Sequence, residues 1–201
     1  MNRDELLDVF RRSGALLDGH FRLTSGLHSP GYLQCALVLQ HPQHADALGL
    51  AIAERTRNLG PTVVLSPALG GVVIGQEVGR GLGVRAIFAE RQDGALMLRR
   101  GFSLSGQDRV LVVEDVWTTG GSTRETIHVA RAAGAVVVGA ASIVDRSAAG
   151  RLSAPGESPA DLGVPFVSLL GMDLPTYDPA ACPLCAQGLP AVKPGSRASV
   201  A

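Results

Sequence analysis

The chain has 201 residues, of which 46% are hydrophobic, and its 18 basic and 18 acidic residues leave a formal net charge of zero. This length and composition predict one soluble globular domain, and the neutral charge gives no reason to expect nucleic acid or a membrane surface as a partner. No stretch approaches the run of about eighteen apolar residues that spans a membrane, and the polar N-terminus does not resemble a signal peptide, so we expect a cytoplasmic location. Lys193 is the only lysine, so arginine supplies nearly all of the positive charge.

Residues 1–41 predict a helix followed by a hairpin. Residues 2–13 place their apolar side chains broadly on one side, which indicates a short helix that closes near Gly14. Two short strands, LLDGHFRL and YLQCALVLQ, are predicted on either side of the turn-rich segment SGLHSPG. A hairpin that carries two histidines is compatible with a purely structural role.

Residues 42–172 alternate between helix and strand patterns. Pro42 opens a helix that ends at Gly60-Pro61, and TVVLSPALGGVVIGQEVGRGLG then predicts a buried strand, a glycine-containing turn and a second helix. After the strand VRAIFAER, the polar segment QDGALMLRRGFSLSGQD is either a mobile functional loop or a hairpin with a solvated basic edge. The strands AVVVGAASIVDRS and VPFVSLLGMD flank a surface loop over residues 147–163. This order predicts a single α/β domain with a mostly parallel sheet and helices on both faces.

The segment RVLVVEDVWTTGGST, residues 109–123, is the most informative part of the chain. An apolar, β-branched run ends in two adjacent acids, Glu114 and Asp115, and a loop of glycine and hydroxyl residues leads into a helix that ends at Gly134. Glycines let backbone N–H groups approach phosphate oxygens, and a helix N-terminus adds partial positive charge, so the pattern predicts a phosphate site. Carboxylates would repel that phosphate, so we expect them to bind the hydroxyls of a sugar that carries it. An ordinary buried strand and turn would explain the valines but not the paired acids.

VVEDVWTTGGST resembles the phosphoribosyl-diphosphate (PRPP) motif of the type I phosphoribosyltransferases, and it contains neither a Walker loop nor G-x-G-x-x-G. The resemblance implies that Glu114 and Asp115 are catalytic residues that hold the ribose hydroxyls. The implied PRPP-binding residues of this segment are Glu114, Asp115, Val116, Trp117, Thr118, Thr119, Gly120, Gly121, Ser122 and Thr123. The implied diphosphate loop is Ala68, Leu69, Gly70 and Gly71, and many orotate enzymes carry a lysine where this chain has Gly70.

The pattern GHF-x-LTSG-x-HS-x-x-Y resembles the N-terminal signature of the orotate phosphoribosyltransferases, in which this segment forms a hood over the base. The resemblance covers roughly residues 15–172 and implies transfer of ribose 5-phosphate from PRPP to orotate, which yields orotidine 5′-monophosphate and diphosphate in pyrimidine biosynthesis. It implies Mg²⁺ as the cofactor, bound through PRPP and not by direct protein ligands. The implied orotate contacts are Thr118, Arg146, Ser25 and His28, with Arg146 at the carboxylate of orotate.

The catalytic loop of the family, which closes over PRPP and reaches into the neighbouring subunit, corresponds to the polar segment after VRAIFAER. That loop is usually rich in lysine and carries a histidine, whereas the shorter segment here offers only Arg91, Arg99 and Arg100 as cations. A guanidinium can bind a departing diphosphate through two parallel hydrogen bonds, so Arg91 is the third implied catalytic residue, in a homodimer that shares the loop. The alternatives are a purine phosphoribosyltransferase, which GHFRLTSGLHS disfavours, and a non-catalytic PRPP-sensing regulator, which the neutral charge disfavours.

Residues 173–201 form a tail in which Cys182 and Cys185 make a C-x-x-C motif. A structural zinc site needs four ligands and the tail supplies only two, so zinc would require a half-site shared across a dimer. A redox pair is disfavoured because no helix is predicted after the motif. We therefore expect a compact structural tail with reduced cysteines.

Overall fold

The structure, a computed structural model, describes residues 1–23, 25–147 and 162–193. Its strands are β1 (Leu16–Arg22), β2 (His28–Leu33), β3 (Val63–Pro67), β4 (Arg85–Gln92), β5 (Ala95–Leu98), β6 (Arg109–Trp117), β7 (Val136–Asp145) and β8 (Phe166–Gly171). Its α-helices are α1 (Arg3–Arg12), α2 (Cys35–Leu39), α3 (Pro42–Thr56), α4 (Gly70–Leu82), α5 (Gly121–Ala132) and α6 (Pro183–Ala186). None of the helices in the described ranges is long and apolar enough to cross a membrane.

The main sheet has six strands in the order β5-β4-β3-β6-β7-β8, and β1 pairs with β2 in a separate antiparallel sheet. Every neighbouring pair in the main sheet is parallel except β4 with β5. The central strand β6 is buried on both faces, which explains its continuous apolar run. Leu111 and Val113 join the core cluster with residues of α3 and α4, whereas Val110 and Val112 join the cluster with residues of α5. The α/β prediction with helices on both faces of a mostly parallel sheet is therefore confirmed.

The predicted strand YLQCALVLQ is wrong beyond Leu33. The strand β2 begins at His28, inside the predicted turn, and its ladder ends where Leu33 pairs with Leu16, the first residue of β1. Without a partner strand the chain turns into α2, which buries Cys35, Val38 and Leu39 on one side at helical spacing. A short apolar run is compatible with the residue spacing of a strand and with that of a helix. The presence or absence of a partner strand then decides which of the two forms.

The polar segment after β4 contains the edge strand β5, which pairs antiparallel with β4 and makes the hairpin that was one of the two predicted alternatives. Its turn places Asp93 and Gly94 at positive φ. The C-x-x-C motif also differs from the prediction, because Cys185 lies on the one-turn helix α6 that follows Cys182. Most of the predicted surface loop over residues 147–163 lies outside the described residues. The predicted boundaries at residues 41 and 172 stay predictions.

Candidate active site

Three parallel strands end at the same edge of the sheet and bring three predicted segments together. The strand β3 leads into the loop before α4, β6 leads into the glycine- and threonine-rich loop before α5, and β7 leads to Arg146. The register pairs Trp117 with Asp145, and the backbone N–H of Arg146 donates to the carbonyl of Trp117 at 2.8 Å. Ligands of open α/β sheets bind at such an edge, outside the carboxyl ends of the strands.

The two acids lie within β6 and stand against the N-terminus of α4. A side chain at Gly70 would bring its Cβ to 2.8 Å from both carboxylate oxygens of Asp115, and a Cβ at Gly71 would lie 2.9 Å from the carbonyl of Val113. A contact this short with the backbone carbonyl of Val113 would force the backbone to move, so position 71 requires glycine. At position 70 the contact is with the end of the Asp115 side chain, which would have to shift to admit a larger residue.

Both carboxyl groups are partly buried, and burial raises the pKa of each above its ordinary value. The proximity of Asp115 raises the pKa of Glu114 further, while hydrogen bonds from the hydroxyls of Thr123 and Ser122 act in the opposite direction. Asp115 Oδ1 accepts a hydrogen bond from the N–H of Val116 at 2.9 Å, which lowers its pKa less than burial raises it. The free protein therefore holds two adjacent carboxylates in a place where their charge is unfavourable, which suits a site that receives hydroxyl donors or cations.

The loop after β6 divides its predicted ligand residues into two groups. Thr118, Thr119 and Gly121 are exposed, and Ser122 is half-buried at the start of α5, so these residues are accessible to a phosphate. Trp117 is only 2% exposed and packs on Phe166, with ring centroids 4.9 Å apart.

The other predicted residues of this loop contribute to packing or to internal hydrogen bonds. Gly120 adopts φ 76°, and a Cβ there would lie 2.3 Å from the indole ring of Trp117. Thr123 is buried and donates to Glu114, and Val116 packs against the core. The predicted role of Val116, Trp117 and Gly120 in PRPP binding stays a prediction, and it would have to rest on backbone groups and not on these side chains.

A cavity of about 350 Å³ opens beside Asp115. Its lining residues come from the segment around α2, the start of α4 and β6: Gln34, Ala36, Leu39, Gln40, Leu69, Gly70, Val73 and Asp115. Leu69 is 87% exposed and joined to Ala68 by a cis peptide bond. Gln34 and Gln40 were not among the predicted site residues, since both lie within the predicted hood strand YLQCALVLQ and carry no motif signal.

Arg146 is half-buried beyond the end of β7, close to Tyr32 and Cys35 of the hood segment. Its Nε is buried and has no hydrogen-bond partner among the described residues, and burial lowers the pKa of the guanidinium from its ordinary value. A buried donor without a partner is costly, so this side chain is suited to an anionic ligand with fixed oxygen positions.

Three predicted residues have other contacts. Ser25 is exposed and its Oγ accepts from the N–H of Leu27 at 3.4 Å, whereas His28 is buried with its Nδ1 2.8 Å from Nε2 of His20. Arg91 forms an ion pair with Glu125 of α5 at 2.7 Å. Their predicted roles in orotate binding and in catalysis stay predictions.

The sequence profile of the phosphoribosyl transferase domain matches residues 36–154, which is more than half of the chain. This match agrees with the parallel sheet, the acid pair and the glycine loops. The protein therefore belongs to the class of phosphoribosyltransferases.

Similar proteins narrow this class. An orotate phosphoribosyltransferase of Desulforamulus reducens is 53% identical over 197 residues, which are 98% of either chain. That of Chlorobaculum parvum is 52% identical over 199 residues, which are 99% of this chain and 98% of the relative. The crystal structure of Mycobacterium tuberculosis orotate phosphoribosyltransferase with PRPP superposes with a TM-score of 0.64 at 26% identity, over 85% of this chain and 89% of the other. The chain belongs to the orotate phosphoribosyltransferase family, as the sequence resemblance predicted.

The raised pKa of Asp115 predicts that Asp115→Asn stabilises the free protein. Because the folded state disfavours the charged carboxylate, wild-type stability is lost as the pH rises through the raised pKa. At neutral pH we expect the variant to have the larger free energy of unfolding, and the difference should shrink towards zero in acid, where both wild-type states are protonated. Denaturant titrations between acid and neutral pH measure this.

Asp108→Asn is the matched control, for which we expect the opposite change in the free energy of unfolding. Hydrogen bonds from Arg85 and Ser105 lower the pKa of Asp108, so its carboxylate stabilises the fold above its unfolded pKa and this contribution is lost as the pH falls. The control should be less stable than wild type at neutral pH. A loss of stability in Asp115→Asn at neutral pH would contradict the assignment of an unfavourable buried charge.

Proposed function

We propose that the protein transfers ribose 5-phosphate from PRPP to orotate, which gives orotidine 5′-monophosphate and diphosphate in pyrimidine biosynthesis. The observation that carries the proposal is the partly buried pair Glu114 and Asp115 at the edge of the sheet, packed against the glycine start of α4. The curated relatives at about half identity over nearly the whole chain are orotate phosphoribosyltransferases, which supports the same reaction.

In this proposal the two acids hold the 2′ and 3′ hydroxyls of the ribose. Each hydroxyl is a donor that compensates a carboxylate whose burial is otherwise unfavourable. Departure of diphosphate leaves positive charge on the sugar ring, and the fixed negative charges of Glu114 and Asp115 favour that transition state over the neutral ground state. The exposed residues Thr118 and Thr119, with Ser122 at the start of α5, bind the 5′-phosphate through hydroxyl and backbone donors.

Arg146 orients orotate in the proposed site. Its half-buried guanidinium lies near Tyr32 of the hood, and its Nε lacks a partner among the described residues. A carboxylate of orotate would supply the missing acceptor, and such a charge-assisted contact distinguishes orotate from uracil, which lacks the carboxylate.

Magnesium belongs to the proposal as the ion bound through PRPP. The cavity beside Asp115 has neither lysine nor arginine among its described lining residues, so the negative charge of a diphosphate needs another source of compensation. The oxygen atoms of PRPP are of the type that Mg²⁺ prefers, and the negative charge of the partly buried Asp115 carboxylate favours a cation nearby without direct coordination. When bound, Mg²⁺ supplies the neutralisation of the leaving group.

A homodimer completes the proposed site. The exposed hairpin β4–β5 carries Arg91 and, after its second strand, Arg99 and Arg100, and none of the three lines the cavity beside Asp115. Delivery of such a cation from a second copy of the chain would place it at the diphosphate. The proposal includes a cytoplasmic location, which suits three cysteines that form no disulfide.

Substrate identity is tested first, with the purified protein, PRPP and Mg²⁺. We expect consumption of orotate and release of diphosphate, and no consumption of uracil, hypoxanthine or adenine. Turnover of a purine with orotate untouched would establish the purine alternative. Binding of PRPP without turnover of any base would establish the regulator.

Arg146→Ala should raise the KM for orotate far more than the KM for PRPP. Loss of a charge-assisted contact of about 1.5–3 kcal/mol corresponds to roughly a 10- to 150-fold change. The backbone bond from Arg146 to Trp117 does not depend on the side chain, so the variant should fold. Arg131→Ala, on an exposed position of α5, is the control and should leave both constants unchanged. Equal weakening for both substrates would mean that Arg146 is structural.

The role of Arg91 is tested by mixing inactive subunits. Asp115→Asn should lose roughly a hundredfold or more in rate, and Arg91→Ala should also lower the rate of the chemical step. If the hairpin serves the partner's site, a mixed dimer contains one site in which wild-type Asp115 and wild-type Arg91 meet, and its activity should exceed that of either variant alone.

Glu125→Gln is the control for the subunit mixing, because it removes the charge partner of Arg91 and keeps the guanidinium. We expect this variant to remain active. Activity as low as that of Arg91→Ala would show that the ion pair, and not a contact with diphosphate, is what the arginine provides. No recovery in a verified mixed dimer would rule out a shared loop arginine.

A further inference from the structure

Two histidines of the hood and two cysteines of the tail form a compact cluster away from the acid pair. His20 lies on β1, His28 begins β2, and Cys182 and Cys185 flank the start of α6. One potential ligand atom from each residue lies within 4.8 Å of the other three. The two missing partners of the C-x-x-C motif thus come from the same chain, and no half-site on a second subunit is needed.

The distances within the cluster are close to those around a tetrahedral metal ion. Nε2 of His20 lies 2.8 Å from Nδ1 of His28, 3.5 Å from Sγ of Cys182 and 3.9 Å from Sγ of Cys185. Nδ1 of His28 lies 3.3 Å from Sγ of Cys185. Metal–nitrogen and metal–sulfur bonds of about 2.0 and 2.3 Å would place nitrogen pairs about 3.3 Å apart and nitrogen–sulfur pairs about 3.5 Å apart. A separation of the two imidazole rings by about half an ångström would bring their nitrogen atoms to that distance.

Hydrogen bonds orient the ligand atoms. Nδ1 of His20 lies 2.8 Å from the carbonyl of Leu189, so it carries the proton and Nε2 presents its lone pair to the other three residues. Backbone bonds hold the tail in place, since His28 exchanges both of its bonds with Tyr177, and the N–H of Val192 donates to the carbonyl of His20 at 2.8 Å. In metal sites, a hydrogen bond from the other ring nitrogen of a ligating histidine to a neighbouring acceptor fixes the orientation of that histidine.

We infer that His20, His28, Cys182 and Cys185 bind one Zn²⁺ that fastens the C-terminal tail to the hood. Two thiolates with two imidazoles are a soft donor set that selects zinc over magnesium, and a C-x-x-C pair has the usual spacing for it. Four protein ligands leave no open position, so the site is structural and takes no part in the transfer reaction. His20, His28 and Cys182 are buried and Cys185 is exposed, which gives the ion a route of entry.

Metal binding is tested on the full chain, reduced with a thiol and stripped with a chelator. Titration with Co²⁺ should give one equivalent per chain, with thiolate-to-cobalt charge transfer and the intense visible bands of tetrahedral coordination, and Zn²⁺ should bleach them while excess Mg²⁺ should not. Zinc should also raise the Tm of the stripped protein by several degrees, because it binds only the folded site. Binding of neither ion by the folded, reduced protein would overturn the inference, as would cobalt bands typical of octahedral oxygen ligands.

Variants locate the site. Cys185→Ser and His28→Ala should each lose more than about a hundredfold in cobalt affinity, since even residues that only support ligands contribute about 10–100-fold. Cys35→Ala and His128→Ala remove the same residue types outside the cluster and should titrate like wild type. Unchanged affinity in Cys185→Ser, or loss of the bands in either control, would overturn the assignment. Should a cluster variant fail to fold, the wild-type titration still decides.

Discussion

Parallel strands run in one direction, so the carboxyl ends of β3, β6 and β7 meet at one edge of the sheet, and this constraint places the acids, the two glycine-containing loops and Arg146. The loop before α4, the acids of β6 and Arg146 are far apart in sequence but adjacent at that edge. The start of α4 approaches β6 so closely that a Cβ at Gly71 would meet the carbonyl of Val113, and a Cβ at Gly70 would displace the carboxylate of Asp115. The packing of α4 on β6 therefore also determines the position of a candidate catalytic carboxylate.

The acid pair favours a ligand that brings hydroxyl donors or positive charge. In the free protein, burial raises the pKa of Glu114 and Asp115, which means that their charge is less favourable than it would be in water. Hydroxyl donors of the ribose and a nearby positive charge both relieve this cost. The relief is greatest when the ribose ring carries a developing positive charge. Arg146 has the complementary property, a buried donor without an acceptor among the described residues. In the free protein both ends of the site therefore hold buried polar groups that a suitable substrate would satisfy.

Much of the fold and the centre of the site follow from local sequence patterns, and the rest depends on which segments meet. The acids and the glycine loop after β6 were predictable because strand, turn and helix lie within one continuous segment. Trp117 was predicted among the ligand residues, but its side chain is in the core, since burial at a strand end depends on neighbours such as Phe166. The helix α2 was not predicted because its apolar run is compatible with both a strand and a helix. The choice depends on the partner strand β1, whose pairing with β2 stops at Leu33. The cluster of His20 with the C-x-x-C motif joins residues more than 160 positions apart, and no local pattern encodes that pairing.

The tail is one of two supports that hold the hood in place. Two strands alone are marginally stable, and β1 with β2 gains support at one end from Leu16 and Leu33, which join the core cluster. Its distal end is held by backbone pairing of Phe21 with Val192 and of His28 with Tyr177, next to the proposed zinc ligands. At its other end β2 leads through Leu33 directly into Gln34, which lines the cavity beside Asp115. The backbone pair of His28 with the tail and the lining residue Gln34 thus lie at opposite ends of the same short strand.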